Sequence, residues 1–147
     1  MNGRARDGVD LFATFGYTHA RFDDGTTSSG APVGGNTIPN TPDYTATFGG
    51  EWTRGVRTAR LYGRAEAVLF GAFQYDESNT QGQEAYALAN FRAGLRARHG
   101  FAEFWMRNAF DTSYVPLAFA YPGIAPSGFV AEPGRPRTLG VTVGVAF

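Results

Sequence analysis

Residues 138–147 read TLGVTVGVAF and place Leu139, Val141, Val143, Val145 and Phe147 at every second position. Thr138, Gly140, Thr142, Gly144 and Ala146 fill the places between them. A period of two puts the large residues on one face of a β-strand and leaves a small, weakly polar face behind them. The alternation runs to the last residue with no polar tail. A free end frays into water, so the end of this strand is expected to be paired. A terminal strand of a soluble sandwich and a strand of a barrel wall both meet that condition.

Five further segments show strand character: 9–22, 43–53, 56–75 with a break at Gly71, 84–98 and 101–110. Segment 84–98 is rich in Ala, Leu and Arg, for which an amphipathic helix is the alternative to a strand. Its apolar residues at 85, 87, 89, 91, 93, 95 and 97 follow period two better than 3.6. Opposite them lie Asn90, Arg92, Gly94, Arg96 and Arg98. In 56–75, Leu61, Gly63, Ala65, Ala67 and Leu69 oppose Tyr62, Arg64 and Glu66. In 43–53, Tyr44, Ala46, Phe48, Gly50 and Trp52 oppose Thr45, Thr47, Gly49 and Glu51. In 101–110, Glu103 and Arg107 share a face, with Phe104 and Met106 on the other. Such two-faced strands suit a sheet on a core with its back in water, or a barrel wall between lipid and a polar lumen.

The connections separate these settings. A Gly/Ser/Thr/Pro-rich stretch of about twenty residues follows the first segment, and a tight turn near Arg54–Gly55 follows the second. Then come a polar loop at 76–83, a turn at His99–Gly100 and a long loop at 111–136. In an up-and-down meander this order sends every short turn to one end and every long loop to the other. Outer-membrane barrels sort their connections in that way, with short turns in the periplasm and long loops outside. A mean hydropathy of −0.24 is compatible with such strands, because half of each faces a polar interior. Six strands are too few to close, since bacterial barrels begin at about eight. The expected fold is therefore all-β: an antiparallel up-and-down transmembrane β-barrel, of which residues 1–147 supply about six C-terminal strands.

Four stretches carry a family likeness. They are FGYTHARFDDG (15–25), GNTIPNTPDYTATFGGEW (35–52), RNAFDTSYVP (107–116) and EPGRPRTLGVTVGVAF (132–147). In this order they resemble the C-terminal barrel of TonB-dependent outer-membrane receptors. Ala109 stands where that family usually has Leu in "N-L-F-D-x-x-Y". The resemblance implies a barrel of the 22-stranded size class in the outer membrane of a Gram-negative bacterium. It implies TonB-dependent uptake of a scarce nutrient, for which ferric siderophores, vitamin B12 and oligosaccharides all fit the family. The partners it implies are outer-membrane lipid, the remaining strands, a plug domain, and TonB through regions outside this chain. It also makes Leu139, Val141, Val143, Val145 and Phe147 resemble the terminal signal read by the barrel-assembly machinery. Recognition of a strand edge by β-augmentation is a physical route for that reading.

The remaining features narrow the function. The first ten residues, MNGRARDGVD, hold no apolar run of the kind a secretory leader needs, so the plug and the earlier strands are expected to lie outside this chain. There is no Cys, and all 13 basic residues are Arg, balanced by 13 acidic ones. No basic field points to nucleic acid, and no apolar run is long enough for a transmembrane helix. His19 and His99 lie in different segments without partners for a triad or a metal. Asp23–Asp24–Gly25 lacks the spacing of a calcium loop. Neither an enzyme nor a metal or cofactor site is expected. Arg64, Glu66, Arg92, Arg96, Glu103 and Arg107 are expected to point into the lumen, pairing across strands and meeting the plug. Tyr17, Trp52, Phe73, Tyr75, Phe101, Phe104, Tyr114 and Phe147 fall near strand ends, where aromatic belts form. Loops 23–42 and 111–136 are the expected ligand-facing parts. Two alternatives stand beside this reading. One is another outer-membrane barrel with a structural or adhesive role. The other is a soluble β-sandwich binding module, which would bury Leu139, Val141 and Val143.

Overall fold

The computed structural model describes residues 2–6, 8–121, 123 and 128–145. Seven strands form one antiparallel sheet in sequence order. They are β1 (Asn2–Arg6), β2 (Val9–Tyr17), β3 (Tyr44–Val56), β4 (Ala59–Phe70), β5 (Tyr86–Ala97), β6 (Gly100–Arg107) and β7 (Thr138–Val145). β1 is an addition to the six segments read from the sequence. Its NGRAR has no apolar alternation, and pairing with β2 makes it a strand. β4 has 12 residues, enough to cross a hydrocarbon core that needs about 9–11 residues of tilted strand.

Turn chemistry sets the two ends apart. Gly8 takes φ 85° in the tight connection from β1 to β2, which only Gly adopts without strain. β3 runs past the expected turn to Val56, and Arg57–Thr58 makes the hairpin, with Arg57 at φ 52°. Gly55 stays in the ladder opposite Arg60. Arg98–His99 closes the β5–β6 hairpin, because Ala97 pairs with Gly100. At the other end lie the long connections 18–43, 71–85 and 108–137. Each contains a small ladder of its own: Thr27–Ser28 with Ala31–Pro32, Phe73–Gln74 with Gly82–Gln83, and Leu117–Ala120 with Phe129–Glu132. The expected break at Gly71 is present. β4 stops at Phe70, and the Tyr44 ring lies where a side chain at 71 would go.

The sheet has no second layer. Among the described residues only Val33, Gly71, Phe73, Asn108 and Ala118 are buried, and all five lie in the long connections. Leu139, Val141, Val143 and Val145 are 60–69% exposed, so the core that a soluble sandwich requires is not formed. Phe147 lies outside the described residues.

Candidate functional site

Register divides the sheet into two chemically distinct faces. On one, Leu11, Phe48, Trp52, Leu61, Phe91, Leu95 and Phe104 stand exposed among Ala and Gly, continued by the valines of β7. A shallow hollow there is lined by Val9, Trp52, Ala65, Phe91, Ala93 and Phe104. On the other face runs an open groove of about 880 Å³, lined by Glu51, Thr53, Arg60, Tyr62, Arg64, Glu66, Arg92, Arg96 and Glu103. A smaller hollow bordered by Asn90, Trp105 and Arg107 adjoins it. All six charged residues singled out in the sequence share this face.

They do not all pair. Arg64 binds Glu66 at 2.8 Å, reaches Glu51 at 3.8 Å, and lies over the Phe12 ring at 4.4 Å. Glu66 also accepts from Asn90 Nδ2 at 3.1 Å. Glu103 accepts from the Tyr62 hydroxyl at 2.9 Å. Arg96 and Arg107 lie over the rings of Phe101 and Trp105, at 5.8 and 5.4 Å. Among the described residues Arg92, Arg96 and Arg107 form no ion pair.

A second pattern on this face went unread in the sequence. Phe12, Tyr62, Phe101 and Trp105 each stand directly opposite a glycine on the neighbouring strand: Gly49, Gly94, Gly144 and Gly140. A Cβ at Gly94 would meet the Tyr62 ring at 2.5 Å, and one at Gly49 would meet Phe12 at 2.7 Å. The rings occupy the space over these glycines, an arrangement that restores packing lost at a strand glycine. Phe101 therefore belongs to the polar face and not to an outer belt. Phe73, 6% exposed, is buried within the loop layer, while Tyr75 and Tyr114 are half-buried there. Tyr17, Trp52 and Phe104 keep exposed positions on the apolar face.

The polar network continues into the loops. Asn90 Oδ1 accepts from the Asn108 amide at 3.1 Å. Asn108, 5% exposed and at φ 46°, donates through Nδ2 to the carbonyls of Thr112 and Arg135 and accepts from the Thr112 amide. Asp111 accepts from the Arg137 amide at 2.8 Å. Tyr114 covers Gly134 and stacks on Tyr86, with centroids 4.7 Å apart. RNAFDTSY and EPGRPRT, two of the motifs that carry the family likeness, thus clasp each other at the root of the last loop. Elsewhere in this layer Asn79 donates to and accepts from the backbone of Thr37, at 2.9 and 2.7 Å. Glu77 receives Ser28 Oγ and Asn36 Nδ2. Tyr75 donates to the Val115 carbonyl at 2.8 Å, and burial pushes its phenol above the ordinary value of 10.0. Among the described residues no cluster of His, Asp and Glu has the arrangement of a metal site.

Comparison with known proteins agrees with this geometry. Residues 2–109 match the family model described as "TonB dependent receptor-like, beta-barrel". Among solved structures, the chain is similar to the ferric yersiniabactin uptake receptor FyuA from Yersinia pestis, with TM-score 0.83 and 22% identity over 99% of this chain. It is similar to the siderophore receptor PiuA from Acinetobacter baumannii, with TM-score 0.75 and 21% identity over 97% of this chain. It is also similar to the ferric preacinetobactin receptor BauA from Acinetobacter baumannii, with TM-score 0.64, 19% identity and 97% coverage. The chain spans 20–22% of the length of these structures.

Proposed function

The chain belongs to the TonB dependent receptor-like β-barrel family, and from that premise we propose that it forms one sector of the wall of an outer-membrane receptor that imports a scarce nutrient. The two-faced sheet carries this reading. A single layer with large apolar side chains exposed on one face and a charged groove on the other has one stable setting, between hydrocarbon and a polar interior. The apolar face then meets lipid, and Arg64, Glu66, Arg92, Arg96, Glu103 and Arg107 face the lumen and the plug domain. The long connections are external, and the Gly8, Arg57–Thr58 and Arg98–His99 turns are periplasmic.

The wall performs no chemistry in this account. Its work is to hold a closed, hydrated channel and a fixed external rim while energy delivered through TonB moves the plug. The rest of a 22-stranded barrel pairs with the edges β1 and β7. The alternating face of β7, continued to Phe147, serves as the assembly signal. The solved relatives make ferric siderophores the first nutrient class to test.

Uptake of radioactive iron supplied as a panel of ferric siderophores tests the proposal in cells carrying or lacking the full-length gene. The expected result is uptake of at least one complex that disappears when either this gene or TonB is deleted. Uptake that persists without TonB, or heat-modifiable barrel absent from outer membranes, would contradict it.

A further inference from the structure

The apolar face carries one charge. Among the described residues of β2 to β7, Arg54 is the only charged residue on that face. It shares the parity of Phe48, Gly50 and Trp52, stands directly opposite Leu61, and is exposed. It forms no ion pair among the described residues. Asp10, Glu51 and Glu103, the carboxylates at this end of β2, β3 and β6, lie on the groove face.

Depth decides what such a cation meets. On a lipid-facing wall an Arg costs about 2–4 kcal/mol at the bilayer midplane and about 0–1 kcal/mol near the interface. Trp52, two residues nearer the midplane, has the amphipathic ring that settles at headgroup level. Arg54 lies about 6–7 Å beyond it along the strand, and the Arg57–Thr58 turn follows within three residues. The guanidinium therefore stands in the headgroup layer of the leaflet at the short-turn end. On the midplane side of it lies the apolar hollow, about 470 Å³ in volume, a size seen in small-ligand sites of roughly 300–1,000 Å³. Register sets Gly63 and Ala93 side by side between Trp52 and Phe104, with Phe91 opposite Ala65 in the next row. The result is a gap two strands wide between large rings, open to hydrocarbon. A lone cation at headgroup depth and a chain-sized gap in the same leaflet fit the two ends of one amphiphile.

We infer that Arg54 and the hollow form a binding site for an anionic glycerophospholipid of the periplasmic leaflet. The guanidinium takes the phosphate, and one acyl chain lies in the hollow between Trp52, Phe91 and Phe104. The inference rests on the receptor reading and adds to it a lipid class and a fixed place on the wall. Guanidinium matches phosphate through two parallel hydrogen bonds, and with no carboxylate on this face its charge is left for the lipid.

Photo-crosslinking on the full-length receptor, reconstituted in phosphatidylcholine vesicles, tests the inference. The probes are phosphatidylglycerol and phosphatidylcholine with the same diazirine-bearing acyl chain, and adducts are mapped by peptide mass spectrometry. In wild type the phosphatidylglycerol probe should label the peptides around Trp52, Phe91 and Phe104 about fivefold more than the phosphatidylcholine probe, as expected from roughly 1 kcal/mol per arginine near an anionic headgroup. Excess unlabelled phosphatidylglycerol should displace it. Arg54→Gln should abolish the preference, and Arg54→Lys should keep part of it. Gly63→Leu should also abolish it by filling the hollow, and a Cβ at Gly63 would meet nothing closer than 3.9 Å, so the sheet accommodates the start of that side chain. Equal labelling by both probes in wild type, or a preference that survives Arg54→Gln or Gly63→Leu, would overturn the inference and leave Arg54 merely reaching for water. If a variant fails to fold, the displacement experiment on wild type decides alone. Labelling by neither probe on the apolar face would instead overturn the receptor reading, and this inference with it.

Discussion

The sheet and the loop layer above it are held together by different means. The sheet buries no large side chain, and its coherence comes from uninterrupted ladders, such as the twelve pairs between β3 and β4. The loop layer contains every buried residue described: Val33, Gly71, Phe73, Asn108 and Ala118. Side-chain-to-backbone hydrogen bonds tie its three connections together through Asn79 and Tyr75, and Asn108 joins the two ends of the last one. The sheet thus depends on its surroundings for an apolar phase, whereas the loops carry a small core of their own. A wall can be extended by adding strands, but a rim that contacts solutes needs fixed positions without help from lipid.

The largest test of this contrast is a charge placed on the apolar face. Phe91→Arg, at the middle of β5, should destabilise the inserted barrel by about 2–4 kcal/mol, measured by denaturant unfolding in lipid vesicles. Arg92→Leu, on the other face, should leave insertion intact. Equal damage from both would break the assignment of faces.

Asn108→Ala should strike the loops and spare the sheet. It removes two donated bonds and one accepted bond at a buried site, a loss of about 2–3 kcal/mol when partners stay buried and unpaired. Limited proteolysis should then cut within 111–137 much faster, with unchanged unfolding of the barrel. Gly94→Ala sits in the opposite region and should cost about 1–3 kcal/mol by forcing the Tyr62 ring aside. The double change Gly94→Ala with Tyr62→Ala should recover part of that cost.

The smallest expected effect concerns pH. The Tyr75 phenol titrates above 10.0 in the folded protein because burial disfavours its charged form. Its contribution is complete below the unfolded value and is lost as pH rises through the folded one. Protease sensitivity of the loops should therefore increase above about pH 10 more in wild type than in Tyr75→Phe.

The strand pattern of the sheet was legible because period two survives in β3, β4, β5 and β7 whatever surrounds them. β1 was not, since NGRAR has no alternating face and owes its conformation to its neighbour. The β3–β4 turn was misplaced because Gly55 looked like the turn residue, while register gave that role to Arg57 at positive φ. Grouping the charged residues required only parity. Their pairing did not follow from it, because opposite neighbours are set by hairpin length, and that length brought Arg to Arg at two rows. The glycine–aromatic pairs stayed hidden for the same reason, as each half is ordinary alone. Spacing never linked Asn108 to Arg135 or Asp111 to Arg137, because a loop of more than twenty residues separates them.

The central claim is that one face of this sheet meets hydrocarbon and the other does not. Single cysteines at Leu95, Val141, Arg92 and Thr142, introduced into the cysteine-free chain within the full-length receptor and labelled with a fluorophore, read this directly in vesicles of brominated lipid. The account predicts strong quenching at 95 and 141 and little at 92 and 142. Quenching at 92 and 142, or at none of the four, would contradict it.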